Sequence, residues 1–250
     1  DNTFARSRMG DAYLAKGDWD ASEVVWKALQ ETAPDDPESY VKMSVIHAQK
    51  QDGAAAEKAL DHALALRPGN ISILRRAALL QLALKQPQKA LEKCREQMKT
   101  APDAEAEIRL LMSGIYDAQK EYSRAEDEIR RVMELKPESS VPYISLGRLY
   151  ARQGELEDGI RDFEAALKKQ PDSPRLKMTI ATLYMVKEDF DSALHWYERT
   201  VKEHDDFIPG LNNLAYLYAE KYPTQENLAS GLALVEKIPE AYQNKHSLDT

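Results

Sequence analysis

The 250-residue chain is 43% hydrophobic and 30% charged, with ten glycines and four phenylalanines, a composition that suits a folded helical protein better than an all-β one. Its formal net charge of -8 argues against a general nucleic-acid binder, which needs a dominant basic face to displace counterions from phosphates. No apolar run approaches the roughly 20 residues that cross a bilayer, and the single Cys94 excludes both an internal disulfide and a cysteine-based zinc site.

In chain order, a first amphipathic segment carries Gly10 and, three residues on, Tyr13, before breaking at Lys16-Gly17-Asp18. A second segment follows with Ser22 and Trp26, four residues apart and so on one helix face. The pattern then recurs. Ser44, His47, a turn at Gln51-Asp52-Gly53, Ala56 and Leu60 form the second round, and Ala78, Gln81, Pro87, Ala90 and Cys94 the third. Ser113, Tyr116, Ala125 and Ile129 make the fourth; Gly147, Tyr150, the turn Gln153-Gly154-Glu155, Gly159 and Phe163 the fifth; Ala181, Tyr184, Ala193 and Tyr197 the sixth. A seventh opens with Ala215 and Tyr218 and has a longer turn around Tyr222-Pro223-Thr224-Gln225. Pro34, Pro68, Pro102, Pro137 and Pro171, spaced by 34, 34, 35 and 34 residues, each stand where a helix must stop. Each period therefore predicts a helix-turn-helix, with small residues where two helices approach and a large apolar residue filling the space between them.

A small residue, a tyrosine, a mid-unit alanine, a large apolar residue and a terminal proline in this order resemble the tetratricopeptide repeat family. Met9-Gly10-Asp11-Ala12-Tyr13-Leu14-Ala15-Lys16-Gly17-Asp18 and Ser145-Leu146-Gly147-Arg148-Leu149-Tyr150 look close to its pattern. The resemblance implies an all-α, right-handed superhelical solenoid of about seven antiparallel helix pairs over residues 3–238. The expected units are approximately 3–36, 37–70, 71–105, 106–139, 140–173, 174–207 and 208–238, followed by a connector over 239–250. His47 and Gln81 replace the tyrosine, which predicts looser or more polar packing in units two and three, and Pro87 is expected to open the second helix of unit three. Leu211-Asn212-Asn213-Leu214-Ala215 is similar to late units of bacterial envelope proteins tied to exopolysaccharide export. That likeness implies a truncated eighth unit starting at Leu248-Asp249-Thr250 and a periplasmic or envelope location ahead of the cytoplasm.

In this family the first helix of each pair lines a concave groove. The sixth position of the unit is then Arg8, Lys42 and Arg76, with Arg75 beside the last, a row that would favour an acidic peptide in an otherwise anionic protein. Arg148 and Arg152, one turn apart, and Arg175 form a second basic set suited to carboxylate, while Asn212 and Asn213 offer amides to an extended backbone. The same basic residues also serve as ordinary solvated helix formers. The family's carboxylate-capturing lysine and asparagine set is not reproduced. No phosphate loop, zinc helix or nucleophile elbow occurs, and none of the five histidines has a metal-like partner at helical spacing, so no enzyme activity, metal or cofactor is expected. The chain reads as a protein-interaction scaffold for a partner polypeptide, with no nucleic-acid ligand and no membrane insertion, supporting a larger complex and able to self-associate through solenoid ends. The alternative is a recruiting or regulatory region of a larger enzyme or secretion machine.

Overall fold

The computed structural model describes residues 3–137, 139 and 141–239; the expected opening of an eighth unit at Leu248-Asp249-Thr250 lies outside them. Among the described residues there are fourteen α-helices and no strand. They are α1 (Thr3–Lys16), α2 (Trp19–Thr32), α3 (Pro37–Gln49), α4 (Gly53–Leu66), α5 (Ile71–Ala83), α6 (Pro87–Thr100), α7 (Glu105–Ala118), α8 (Tyr122–Leu135), α9 (Val141–Gln153), α10 (Leu156–Lys169), α11 (Pro174–Val186), α12 (Phe190–Glu203), α13 (Ile208–Glu220) and α14 (Gln225–Glu236). The chain divides into two compact units, residues 1–137 with α1 to α8 and residues 138–250 with α9 to α14. Within each unit every helix packs on the next in sequence, and first helices also meet first helices, as α5 does α7 and α9 does α11. This is an all-α repeat solenoid, built pair by pair.

The turn inside each pair is one motif repeated. The backbone N–H of Asp18, Asp52, Gln86, Glu121, Glu155 and Asp189 donates to the carbonyl of Tyr13, His47, Gln81, Tyr116, Tyr150 and Tyr184 respectively, at 2.8–3.0 Å. That six-to-one bond requires a left-handed residue just before the donor. Gly17 and Gly154 supply it with φ of 74° and 75°, whereas Gln51, Lys85, Lys120 and Glu188 supply it with φ of 58–63° despite their β-carbons. The left-handed residue of unit two is therefore Gln51, and Gly53 instead opens α4. Pro87 stands in the first turn of α6, as expected, where its missing N–H costs nothing. Asp18, Asp52 and Asp189 then cap the following helix by accepting from the N–H three residues on, at 2.9–3.1 Å.

The repeated small and large positions form the core. Ser22, Ala56, Ala90, Ala125 and Ala193 are all completely buried, and the residues four further on, Trp26, Leu60, Cys94, Ile129, Phe163 and Tyr197, are at most 3% exposed. Gln81 is also fully enclosed, a buried amide that makes this position of unit three more polar, as expected. Its neighbour Glu57 is pushed up by burial, but hydrogen bonding from Gln81 and Lys93 outweighs that and holds the carboxyl below its ordinary range. Charge also joins consecutive pairs. Lys50 reaches Asp20 and Glu23 of α2 at 2.5 and 2.6 Å, and Lys93 of α6 reaches Asp61 and Glu57 of α4 at 2.5 and 3.2 Å.

Candidate functional site

In the first unit, α1, α3 and α5 together form a groove of about 410 Å³. Leu14, Val41, Val45 and Ile73 make its apolar floor, and Glu38, Lys42, Asn70, Ser72 and Arg76 its polar margin. All come from first helices of their pairs or from the residues that cap them, because the second helices turn their apolar stripes into the core. Asn70 caps α5 by accepting from Ser72 and Ile73 N–H, both at 3.1 Å, which sets where Arg76 emerges one and a half turns later.

The four basic residues expected on this row differ in state. Lys42 is half-buried and bonded to Asp11 at 2.8 Å and Glu38 at 3.2 Å, with its ammonium 5.7 Å from the Trp26 ring centroid. Burial lowers its pKa, but the two carboxylates more than reverse this and raise it. Its charge is thus offset within the protein. Arg8, Arg75 and Arg76 are exposed, and no carboxylate among the described residues forms an ion pair with them. Arg76 lines the groove itself, whereas Arg8 lies over the exposed Phe4 ring at 5.8 Å.

The second unit places the other candidates on α9, α11 and α13. Arg148 and Arg152 are exposed on α9, and Arg175 is half-buried at the start of α11; Arg152 and Arg175 are engaged within the protein. Asn212 is exposed and lines a cavity of about 510 Å³ between α13 and α14. Asn213 is half-buried on α13.

Of the basic residues expected to face a partner, Lys42 and Arg76 line this groove, and its floor was not among the expected residues. Leu14, Val41, Val45 and Ile73 were legible as apolar residues on first helices, but one apolar face of each such helix must enter the core, and spacing alone does not separate the two faces. Cys94 lies at 0% exposure, where burial pushes its thiol up to about 12. It is protonated at neutral pH and is no nucleophile.

The model of the tetratricopeptide repeat matches residues 7–71 and 144–210, together more than half of the sequence. The chain belongs to the tetratricopeptide repeat family. It is similar to tetratricopeptide repeat protein 17 of Danio rerio, with 31% identity over 93 residues, covering 36% of this chain and 8% of that protein. It is also similar to protein O-mannosyl-transferase TMTC1 of Homo sapiens, with 28% identity over 160 residues, covering 62% of this chain and 18% of that one. The chain therefore spans less than a fifth of either relative's length. Both relatives are vertebrate proteins, so the likeness of the seventh unit to bacterial envelope proteins gains no support from them. Among solved structures, yeast Tom70 shares the fold at a TM-score of 0.52 and 20% identity, over 87% of this chain and 48% of that chain. A tetratricopeptide repeat protein of Parabacteroides merdae aligns over 95% of this chain and 94% of its own, at a TM-score of 0.46 and 18% identity.

Proposed function

We propose that this tetratricopeptide repeat chain is a non-catalytic interaction scaffold that receives a partner polypeptide segment along α1, α3 and α5. The observation that carries this reading is the groove itself: an apolar floor of Leu14, Val41, Val45 and Ile73 beside an Arg76 that pairs with no carboxylate among the described residues. An unpaired guanidinium next to apolar surface suits a segment in which an apolar side chain adjoins an aspartate or glutamate. Arg75 and Arg8 extend the attraction along neighbouring first helices and raise the encounter rate of an acidic partner more than its residence time. Lys42 contributes shape and not net charge, since Asp11 and Glu38 already hold it.

The test is capture of partners from the native extract by the parent chain and by an Arg8→Glu, Arg76→Glu variant, identified by mass spectrometry. Binding lost in the variant, with the helical circular-dichroism signal kept, supports the groove. Partners retained at full strength by the variant would move the site elsewhere.

A second reading has its own support. Similarity over 160 residues to a protein named as an O-mannosyl-transferase, of which this chain matches only 18%, favours a repeat region that recruits substrates or regulates within a larger enzyme. A role in bacterial polysaccharide export rests on the Asn212-Asn213-Leu214-Ala215 stretch alone. Seeing a catalytic domain in the same reading frame separates the recruiting role from the free scaffold.

A further inference from the structure

Glu38, Val41, Lys42 and Val45 line the groove of the first unit from α3. They stand three or four residues apart, which stacks them on one side of the helix. Glu38 and Lys42 are bonded at 3.2 Å, yet the Glu38 side chain is 56% exposed where that of Lys42 is 24% exposed. Lys42 does not depend on this bond, because Asp11 of α1 holds the same ammonium at 2.8 Å. Lys42 and Asp11 offset one another, and Glu38 remains as a surplus negative charge on the groove margin. The start of α3 is capped without the Glu38 carboxylate, since Asp36 accepts from the Glu38 N–H at 3.1 Å.

Arg76 is the counterpart on α5. It is exposed and lines the same groove, and no carboxylate among the described residues pairs with it, so its surplus is positive. The groove is therefore dipolar, with a negative group on α3, a positive group on α5 and the apolar floor of Leu14, Val41, Val45 and Ile73 shared between the helices. A segment rich in acid gains at Arg76 and loses at Glu38. The segment that gains at both carries an acidic and a basic side chain on either side of an apolar one.

We propose that Glu38 sets the specificity of this groove, by selecting a partner segment that carries a basic side chain as well as the carboxylate held by Arg76. The proposal rests on the groove being the partner site. Two opposite charges also fix the direction in which a given segment lies. Running the other way, it would set its carboxylate against Glu38 and its amine against Arg76, a like-charge pairing at each end.

NMR titration of the full 250-residue chain, labelled with nitrogen-15, tests this with two synthetic probes blocked at both termini. One is Gly-Asp-Gly-Leu-Gly-Lys-Gly and the other Gly-Asp-Gly-Leu-Gly-Asp-Gly; alternate residues of an extended chain point to one face, so each presents its charges astride the leucine. The parent chain is expected to shift amides of α1, α3 and α5 and to bind the mixed-charge probe about two- to fivefold tighter than the acidic one. Glu38→Gln is expected to remove that preference, Glu38→Asp to keep it, and Arg76→Glu to weaken both probes. If Glu38 only steadies Lys42, Glu38→Gln weakens both probes alike and leaves their ratio unchanged, which would overturn the proposal. Equal affinity of the parent for the two probes would do the same while leaving the groove as a partner site. No shift on α1, α3 or α5 with either probe would remove the groove itself, and the proposal with it.

Discussion

Gly10 lies so close to Trp26 that a β-carbon on it would stand 2.5 Å from the indole Nε1. Trp26 is 1% exposed and cannot retreat, because Ser22, one turn before it, is tied to the Gly10 carbonyl by a hydroxyl donating at 3.0 Å. Gly10→Ala is expected to destabilise the first unit by about 1–3 kcal/mol through overpacking. Denaturant unfolding followed by Trp fluorescence and circular dichroism checks it, and an unshifted midpoint would show that the α1/α2 contact is looser than described.

The left-handed turn residue separates backbone cost from packing. Nothing lies within 4 Å of a β-carbon built on Gly154, whose φ is 75°. Gly154→Ala is therefore expected to cost about 1 kcal/mol from backbone strain alone. The reverse change, Lys120→Gly at φ 61°, is expected to stabilise by up to about 1 kcal/mol. Equilibrium unfolding of the two variants should move in opposite directions.

Tyr150 is 7% exposed, meets the Phe163 ring edge-on at a centroid distance of 6.3 Å, and donates its hydroxyl to Asp162 at 3.1 Å. Tyr150→Ala is expected to cost about 3–5 kcal/mol as a large-to-small core change. Tyr150→Phe keeps the ring contact and is expected to cost about 0.5–1.5 kcal/mol for the lost hydrogen bond. Equal losses in the two variants would mean that the hydroxyl and not the ring holds the α9/α10 joint.

Acid sensitivity follows from two carboxylates. Glu23 is lowered to about 2 by Lys27 and then Lys50, and Glu203 to about 2 by Lys177 and then Arg199. A carboxyl depressed in the folded state binds its proton more readily when unfolded, so its stabilisation is complete above the ordinary value of 4.5 and is lost as pH falls towards 2. The urea midpoint is expected to be flat from pH 7 to about 5 and to fall steeply below it. In Lys50→Met the Glu23 contribution shrinks, and the fall between pH 5 and 3 becomes shallower. A parent-like profile in that variant would show that the Lys50 bonds to α2 are solvated and weightless.

What the sequence determined by itself is the packing code. The small residue, the ring three residues later and the large apolar residue in the following helix were readable because they sit at fixed local spacings. A helix turns spacing into direction, so Ala56, Ala90 and Ala125 reach the core without knowledge of anything distant. The tertiary structure decided what depends on two helices meeting. Lys42 reads as a free cation until Asp11, 31 residues earlier, is brought within 2.8 Å of it. Gln51, Lys85, Lys120 and Glu188 adopt a left-handed conformation that no glycine announces, because the six-to-one bond and the helix contacts beyond it outweigh the cost at one residue. Leu232 has the sequence character of a buried residue and is 67% exposed. Burial belongs to the neighbour that covers a face, and hydrophobic spacing within one helix carries no information about whether that neighbour is there.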